Sequence, residues 1–234
     1  MKGYRYVKPA YALRKDYVDC LIGIGAYNYF AGALPGVVKP FAWMFGARGD
    51  KNEGIKQLEL AAEKGEYGKT EAKTVLLGAY YNEKRFDDQR KLLMDLVEQY
   101  PSNHVFYLWL TKFFIEQKKI KEGIDFFSQL IKRGNDVPGV KVNVGFAYYE
   151  KARLEFEKKV FDDSISSLTR IIEARQTDEG LLARAHLLRA YAWDLKGSRT
   201  SATDDYQAVL KLPTVEGSQE KARRFLRRPY RGIP

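Results

Sequence analysis

A single cysteine and two histidines are all that this chain offers of the two residue types most often used for nucleophilic and metal chemistry. Cys20 has no partner for an internal disulfide. It sits in an apolar stretch with no histidine nearby in sequence, which points to a buried structural thiol. His104 and His186 lie far apart, without the short spacings at which side chains share a metal ion. Gly23-Ile24-Gly25 lacks the preceding strand and the third glycine of a dinucleotide site. No catalytic group, metal or cofactor is therefore expected. Prolines are also few, and Pro35, Pro40, Pro101, Pro138 and Pro213 fall at the edges of helix-like stretches. Because proline breaks a helix interior, this distribution favours an all-α chain. The first residues, Met1-Lys2-Gly3-Tyr4-Arg5-Tyr6, lack the apolar core and cleavage site of a signal peptide. The chain opens inside a repeat, however, as a piece of a longer protein would. The expected compartment is accordingly cytoplasm, or the envelope if an upstream signal has been removed.

What the chain has is aromatic and basic character. Aromatic residues make up 14% of it, which argues against disorder. Forty basic residues against thirty acidic ones leave a formal charge of +10. That excess suits acidic partners such as nucleic acid, anionic lipid or acidic protein, although a solvated helical surface explains it equally.

The main organising signal is a recurring helix pair. Tyr80-Tyr81-Asn82-Glu83-Lys84-Arg85-Phe86 reads as an aromatic helix end, a short charged turn and a new helix, and Phe113–Ile120 repeats the design. Phe86 and Ile120 stand 34 residues apart, and further copies begin near Phe161 and after Gly197. In the second helices Gly54, Gln89, Gly123, Ser164 and Ala202 occupy one register position. Leu58, Leu93, Phe127, Leu168 and Tyr206 follow four residues later, and Ala61, Leu96, Leu130, Ile171 and Val209 three after that. Such spacing defines one helical face, on which a small residue lets the paired helix approach and large ones fill the layer between.

Over roughly residues 16–212 these features resemble the tetratricopeptide repeat. The run Gly23–Asn28, with Leu34-Pro35, Gly46, Gly49-Asp50 and Glu53-Gly54, is similar to tetratricopeptide proteins of the inclusion-body-clearance family and their bacterial relatives. That resemblance implies an all-α, right-handed helical-repeat solenoid covering residues 1–234, with a truncated repeat over 1–16, whose second helix is expected at Tyr6–Lys15, and a capping helix over 217–228. It also implies an interaction protein without catalytic residues.

In such a superhelix the first helix of each pair lines the concave face, where ligands lie. Projection of the repeat places Tyr29, Tyr81, Lys112, Tyr149, Arg153, Phe156, Arg184 and Tyr191 towards that face. Tyrosine suits peptide recognition, and arginine adds carboxylate recognition. Each tyrosine taken alone is expected to be a packing residue, and the groove reading rests on them as a set. A carboxylate clamp of the chaperone-tail kind is absent, since Ala26, Gly78 and Thr74 stand where it would be. The expected role is a scaffold or adaptor that binds a protein or peptide, with self-association as a further possibility.

Two segments carry alternatives. Lys221, Arg223, Arg224, Arg227, Arg228 and Arg231 surround Phe225, Leu226 and Tyr230. The leading reading is a capping helix with its arginines in water, and the other is an anchor for nucleic acid or another acidic surface. From Cys20 to Phe45 the only charge is Lys39, but Pro35, Gly36 and Pro40 interrupt any membrane-spanning helix. The first expectation for Phe41, Trp43, Met44 and Phe45 is burial beneath a neighbouring repeat, with membrane contact second. Acidic pairs at Asp87-Asp88, Asp162-Asp163 and Asp204-Asp205 are read as helix N-terminal charges.

Overall fold

The computed structural model describes residues 2–44, 46, 48–139, 141–174 and 178–232. Helix accounts for 74% of the chain and no strand is present among the described residues, so the all-α expectation holds. The chain divides into two compact units, Met1–Leu93 and Met94–Pro234.

The first unit contains α1 (Lys2–Leu13), α2 (Cys20–Gly32), the short α3 (Lys39–Met44), α4 (Lys51–Lys64) and α5 (Lys69–Asn82). Helix α6 (Phe86–Gln99) runs across the division. The pairing of α2 with α4 is backbone on backbone. A Cβ at Gly54 would sit 2.4 Å from the Tyr29 amide nitrogen and 2.6 Å from the Gly25 carbonyl oxygen. No side chain fits there, and that is why the register position filled by Gly54 has to be small. Asp50 caps α4 by accepting hydrogen bonds from the amides of Asn52 and Glu53. Asp19 does comparable work at a distance: its carboxylate accepts from the amides of Glu66, Tyr67 and Gly68 and fixes the α4–α5 turn. Burial would raise the Asp19 pKa, but these three donors outweigh it and hold the carboxyl below its usual range.

The second unit contains α7 (His104–Glu116), α8 (Ile120–Asp136), α9 (Val144–Glu157), α10 (Phe161–Ile172), α11 (Glu179–Leu195), α12 (Arg199–Leu210) and α13 (Ser218–Arg227). Each helix packs on the next, and α7, α9, α11 and α13 also touch in succession. Gly123, at the same register position, is closed in by side chains and not by backbone: a Cβ there would lie 2.6 Å from the side chains of Leu154 and Phe114. Ser164 and Ala202, at the same register position, are fully buried.

Four of the turns between paired helices are the same object. Lys84, Lys118, Lys159 and Gly197 each adopt a left-handed backbone, with φ of 58°, 56°, 63° and 80°. The residue after each of them donates its amide to a carbonyl five residues back: Arg85 to Tyr80, Lys119 to Phe114, Val160 to Glu155 and Ser198 to Trp193. The left-handed residue itself donates three back, to Tyr81, Ile115, Phe156 and Asp194. This double closure satisfies the orphan carbonyls of a helix end. Its fourfold recurrence is the structural form of the repeat read from the sequence.

Three local expectations are corrected. Phe41, Trp43 and Met44 are exposed, at 65%, 52% and 72%, and are not tucked beneath a repeat, while Phe45 lies outside the described residues. Asp204-Asp205 falls in the middle of α12, whose first turn holds no acidic residue. Helix α1 spans Lys2–Leu13, so it does not run through residues 6–15 as the repeat pattern suggested. Among the described residues no helix is long and apolar enough to cross a membrane.

Candidate functional site

Of the eight projected groove residues, two belong to the first unit. Tyr29 is 1% exposed, with its hydroxyl directed at the Ala79 carbonyl, and packs among Ile55, Leu58 and Leu76. The close crossing at Gly54 turns its ring into the core, so Tyr29 offers no surface to a ligand. Tyr81 is half exposed on α5.

The other six belong to the second unit, and five of them converge. Tyr149, Arg153 and Phe156 lie on one face of α9, at positions i, i+4 and i+7, and Arg184 and Tyr191 recur seven apart on α11. Lys112 stands exposed on α7, paired at 3.7 Å with Glu116. Beneath this face lies Glu150, whose side chain is 4% exposed and bound by Arg153 at 2.7 Å, with the Thr111 hydroxyl beside it. Burial raises the Glu150 pKa, and the charges of Arg153 and Arg184 only partly offset that. Burial likewise pushes the Tyr149 phenol up to about 12. Arg184 reaches Glu216 at 3.1 Å, across to the segment that precedes α13.

The chain itself lies against this face. After α13 the backbone becomes extended at Arg228, and Tyr230 folds back onto α11. Its ring stacks on Tyr191, with centroids 4.2 Å apart and planes 16° apart, and meets Phe225 edge-on and Phe156 at a tilt. Its amide donates to Asp194 Oδ2 at 2.7 Å. The Asp194 carboxylate is a buried junction, its side chain 1% exposed, which also accepts from the Tyr206 hydroxyl at 2.9 Å and from Arg199 through both carboxylate oxygens. The second guanidinium nitrogen of Arg199 donates to the Phe225 and Leu226 carbonyls at 2.7 and 2.8 Å. Arg199 thereby ties the end of α13 to Asp194, and Asp194 ties the tail to α11.

Three further polar groups form clusters of their own. His186 Nδ1 lies 2.6 Å from Asp205, which Arg189 grips with two nitrogens at 2.8 Å, so His186 is not solitary. Burial alone would raise the Asp205 pKa, but hydrogen bonds from His186 and Arg189 outweigh it and hold the carboxyl below its usual range. Ser167 donates to Glu155 and accepts from Lys151, between α9 and α10. Cys20 is buried, which together with the Asp19 charge raises its thiol pKa. Among the described residues no group of three or more His, Cys, Asp or Glu side chains could hold a metal ion.

Four of the six basic C-terminal residues share one cavity. Arg224, Arg227, Arg228 and Arg231 line a single cavity of about 550 Å³ with Phe225, Pro229 and Gly232, whereas Lys221 and Arg223 lie outside its lining. Sequence reasoning singled out the aromatic and basic residues but missed Glu150, Asp194 and Arg199. The one available signal was a carboxylate, Asp194, set in the apolar run Ala192-Trp193-Asp194-Leu195.

No family model and no curated protein matches this chain.

Proposed function

We propose that this chain is a tetratricopeptide-type helical-repeat protein, a right-handed solenoid that acts as a non-catalytic scaffold and holds an extended protein segment on the face of α9 and α11. The observation that carries the reading is the seat of Tyr230. An extended piece of chain is held there by a stacked ring and a backbone amide bonded to a buried carboxylate. Aromatic side chains combined with a fixed acceptor for backbone N–H groups are what peptide recognition uses. The recurring turn closure and the small-residue crossings at Gly54 and Gly123 support the repeat assignment. Arg153 is a poor handle for a test, because its loss would strand the buried charge of Glu150.

A cleaner experiment removes residues 229–234 and returns them as a labelled peptide spanning 226–234, with binding read by fluorescence anisotropy. Saturable binding that Tyr191→Ala weakens at least tenfold supports the face as a segment-binding surface. Absence of binding, or binding indifferent to Tyr191, sinks it.

A further inference from the structure

We propose that the C-terminal end of the second unit is a binding cradle for a phosphate-bearing anion, built by the docking of the tail. Four guanidinium groups line one cavity of about 550 Å³, and no carboxylate is among its lining residues. Among the described residues the side chains of Arg227, Arg228 and Arg231 make no ion pair or hydrogen bond, and the Arg224 guanidinium lies 5.3 Å from the Phe225 ring without a carboxylate partner. Like charges gathered in this way repel one another, and an exposed arginine on a free helix would spread into water. Here the spread is limited by the fold. Arg224 and Arg227 stand in the last turn of α13 and Arg228 directly follows it, and Arg199 fixes that end through the Phe225 and Leu226 carbonyls. Arg231 is carried to the same cavity by the tail, in which the neighbouring Tyr230 is pinned to Tyr191 and Asp194.

The outcome is a concave, fourfold cationic site whose geometry is set by contacts outside the site itself. Guanidinium groups offer paired N–H donors that match phosphate oxygens, so several of them converging on one cavity suit a compact polyphosphate group better than a single carboxylate. Arg199 already satisfies the α13 carbonyls, so the negative end of that helix is partly neutralised and does not oppose an anion.

The test uses the full chain, titrated calorimetrically with inorganic tripolyphosphate and, in parallel, floated with vesicles containing phosphatidylinositol 4,5-bisphosphate or phosphatidylserine alone. Two double variants, R227E/R231E and K221E/R223E, change the net charge by the same amount, but only the first touches the cavity. The expected result is at least a tenfold loss of tripolyphosphate affinity in the first and less than threefold in the second, with helicity by circular dichroism unchanged in both. Asp194→Asn, which frees the tail without removing a cation, should lower affinity at least threefold. Binding to tripolyphosphate and to phosphoinositide vesicles alike would identify the phosphate group itself as the ligand. Cradle-dependent binding confined to phosphoinositide vesicles would assign a lipid headgroup as its source. Equal loss in both double variants, including binding of a twenty-base oligonucleotide that depends equally on Lys221 and Arg223, would mean an open basic surface and overturn the cradle. So would failure of every phosphate probe to bind.

Discussion

Replacing the three left-handed lysines by glycine should stabilise the protein, each by a separate and similar amount. Lys84, Lys118 and Lys159 occupy the position that Gly197 fills in the fourth turn, with φ between 56° and 63° against its 80°. All three lysine side chains are exposed, so little packing is lost with them. A side chain in the left-handed region is disfavoured by about 1–2 kcal/mol through the clash of Cβ with the carbonyl that follows. Glycine removes that clash but loosens the unfolded chain, which gives back roughly 0.4–1 kcal/mol. The net gain is about 0.5–1 kcal/mol per turn, and the turns share no partners, so the effects should add. Lys118→Gly with Lys159→Gly, both in the second unit, should together give roughly 1–2 kcal/mol. At about 2–4 °C per kcal/mol for a unit of this size, calorimetry resolves that readily. The mirror-image change, Gly197→Ala, should cost about 1 kcal/mol. Neutral or destabilising lysine replacements, or an indifferent Gly197→Ala, would refute the reasoning, because the four closures would then not be equivalent.

Three further outcomes follow from the packing. Gly54→Ala forces a methyl group to within 2.4 Å of the Tyr29 nitrogen, where only backbone could move, and should destabilise the first unit by about 2–4 kcal/mol in urea unfolding; a loss below 0.5 kcal/mol would contradict the close crossing. Asp194→Asn removes the charge that holds Arg199 and should cost about 2–4 kcal/mol, while trypsin cuts after Arg227 and Arg231 several-fold faster; unchanged cleavage would mean that the tail is held elsewhere. Glu150 has its folded pKa raised by burial, so its contribution to stability is complete below the unfolded carboxyl value near 4.3 and is lost as pH climbs through the folded value. Glu150→Gln should therefore gain stability relative to the parent chain as pH rises through that window, and a constant difference between pH 4 and pH 8 would oppose this.

The parts of the fold legible in the sequence are those written in local spacing. A charged turn after an aromatic helix end, recurring at 34 residues, marks the helix boundaries because both turn closures are made within six residues. Small residues at Gly54 and Gly123 signal close helix approach for the same local reason. The α9–α11 face was legible because those helices continue their regular register, which sets Tyr149, Arg153 and Phe156 on one face and Arg184 and Tyr191 on the other helix; Tyr29, in the first unit, is buried instead. Its burial depends on how deeply α2 sinks against α4, a quantity set by four glycines acting jointly (Gly25, Gly32, Gly49 and Gly54) and not by the register of Tyr29 itself. The apolar segment around Phe41 and Trp43 shows the converse, since hydrophobicity alone does not state whether anything lies above it. The junction at Asp194 joins residues up to 36 positions apart through a tail with no regular structure, and no periodicity reports such a contact.

The docked tail also bears on kinetics. A covalently attached segment faces its own seat at an effective concentration of the order of millimolar, whatever the amount of protein present. A partner that uses the Tyr191 surface therefore competes with an occupant that dilution does not remove. Its observed affinity is the intrinsic one scaled by the fraction of time the seat is vacant. On the proposed reading, a partner held beside the tail, over Tyr149 and Arg184, would escape that factor, whereas one that must displace Tyr230 would be admitted only as often as the ring lifts from Tyr191. The rate of that lifting sets the upper limit on how fast such a partner is exchanged.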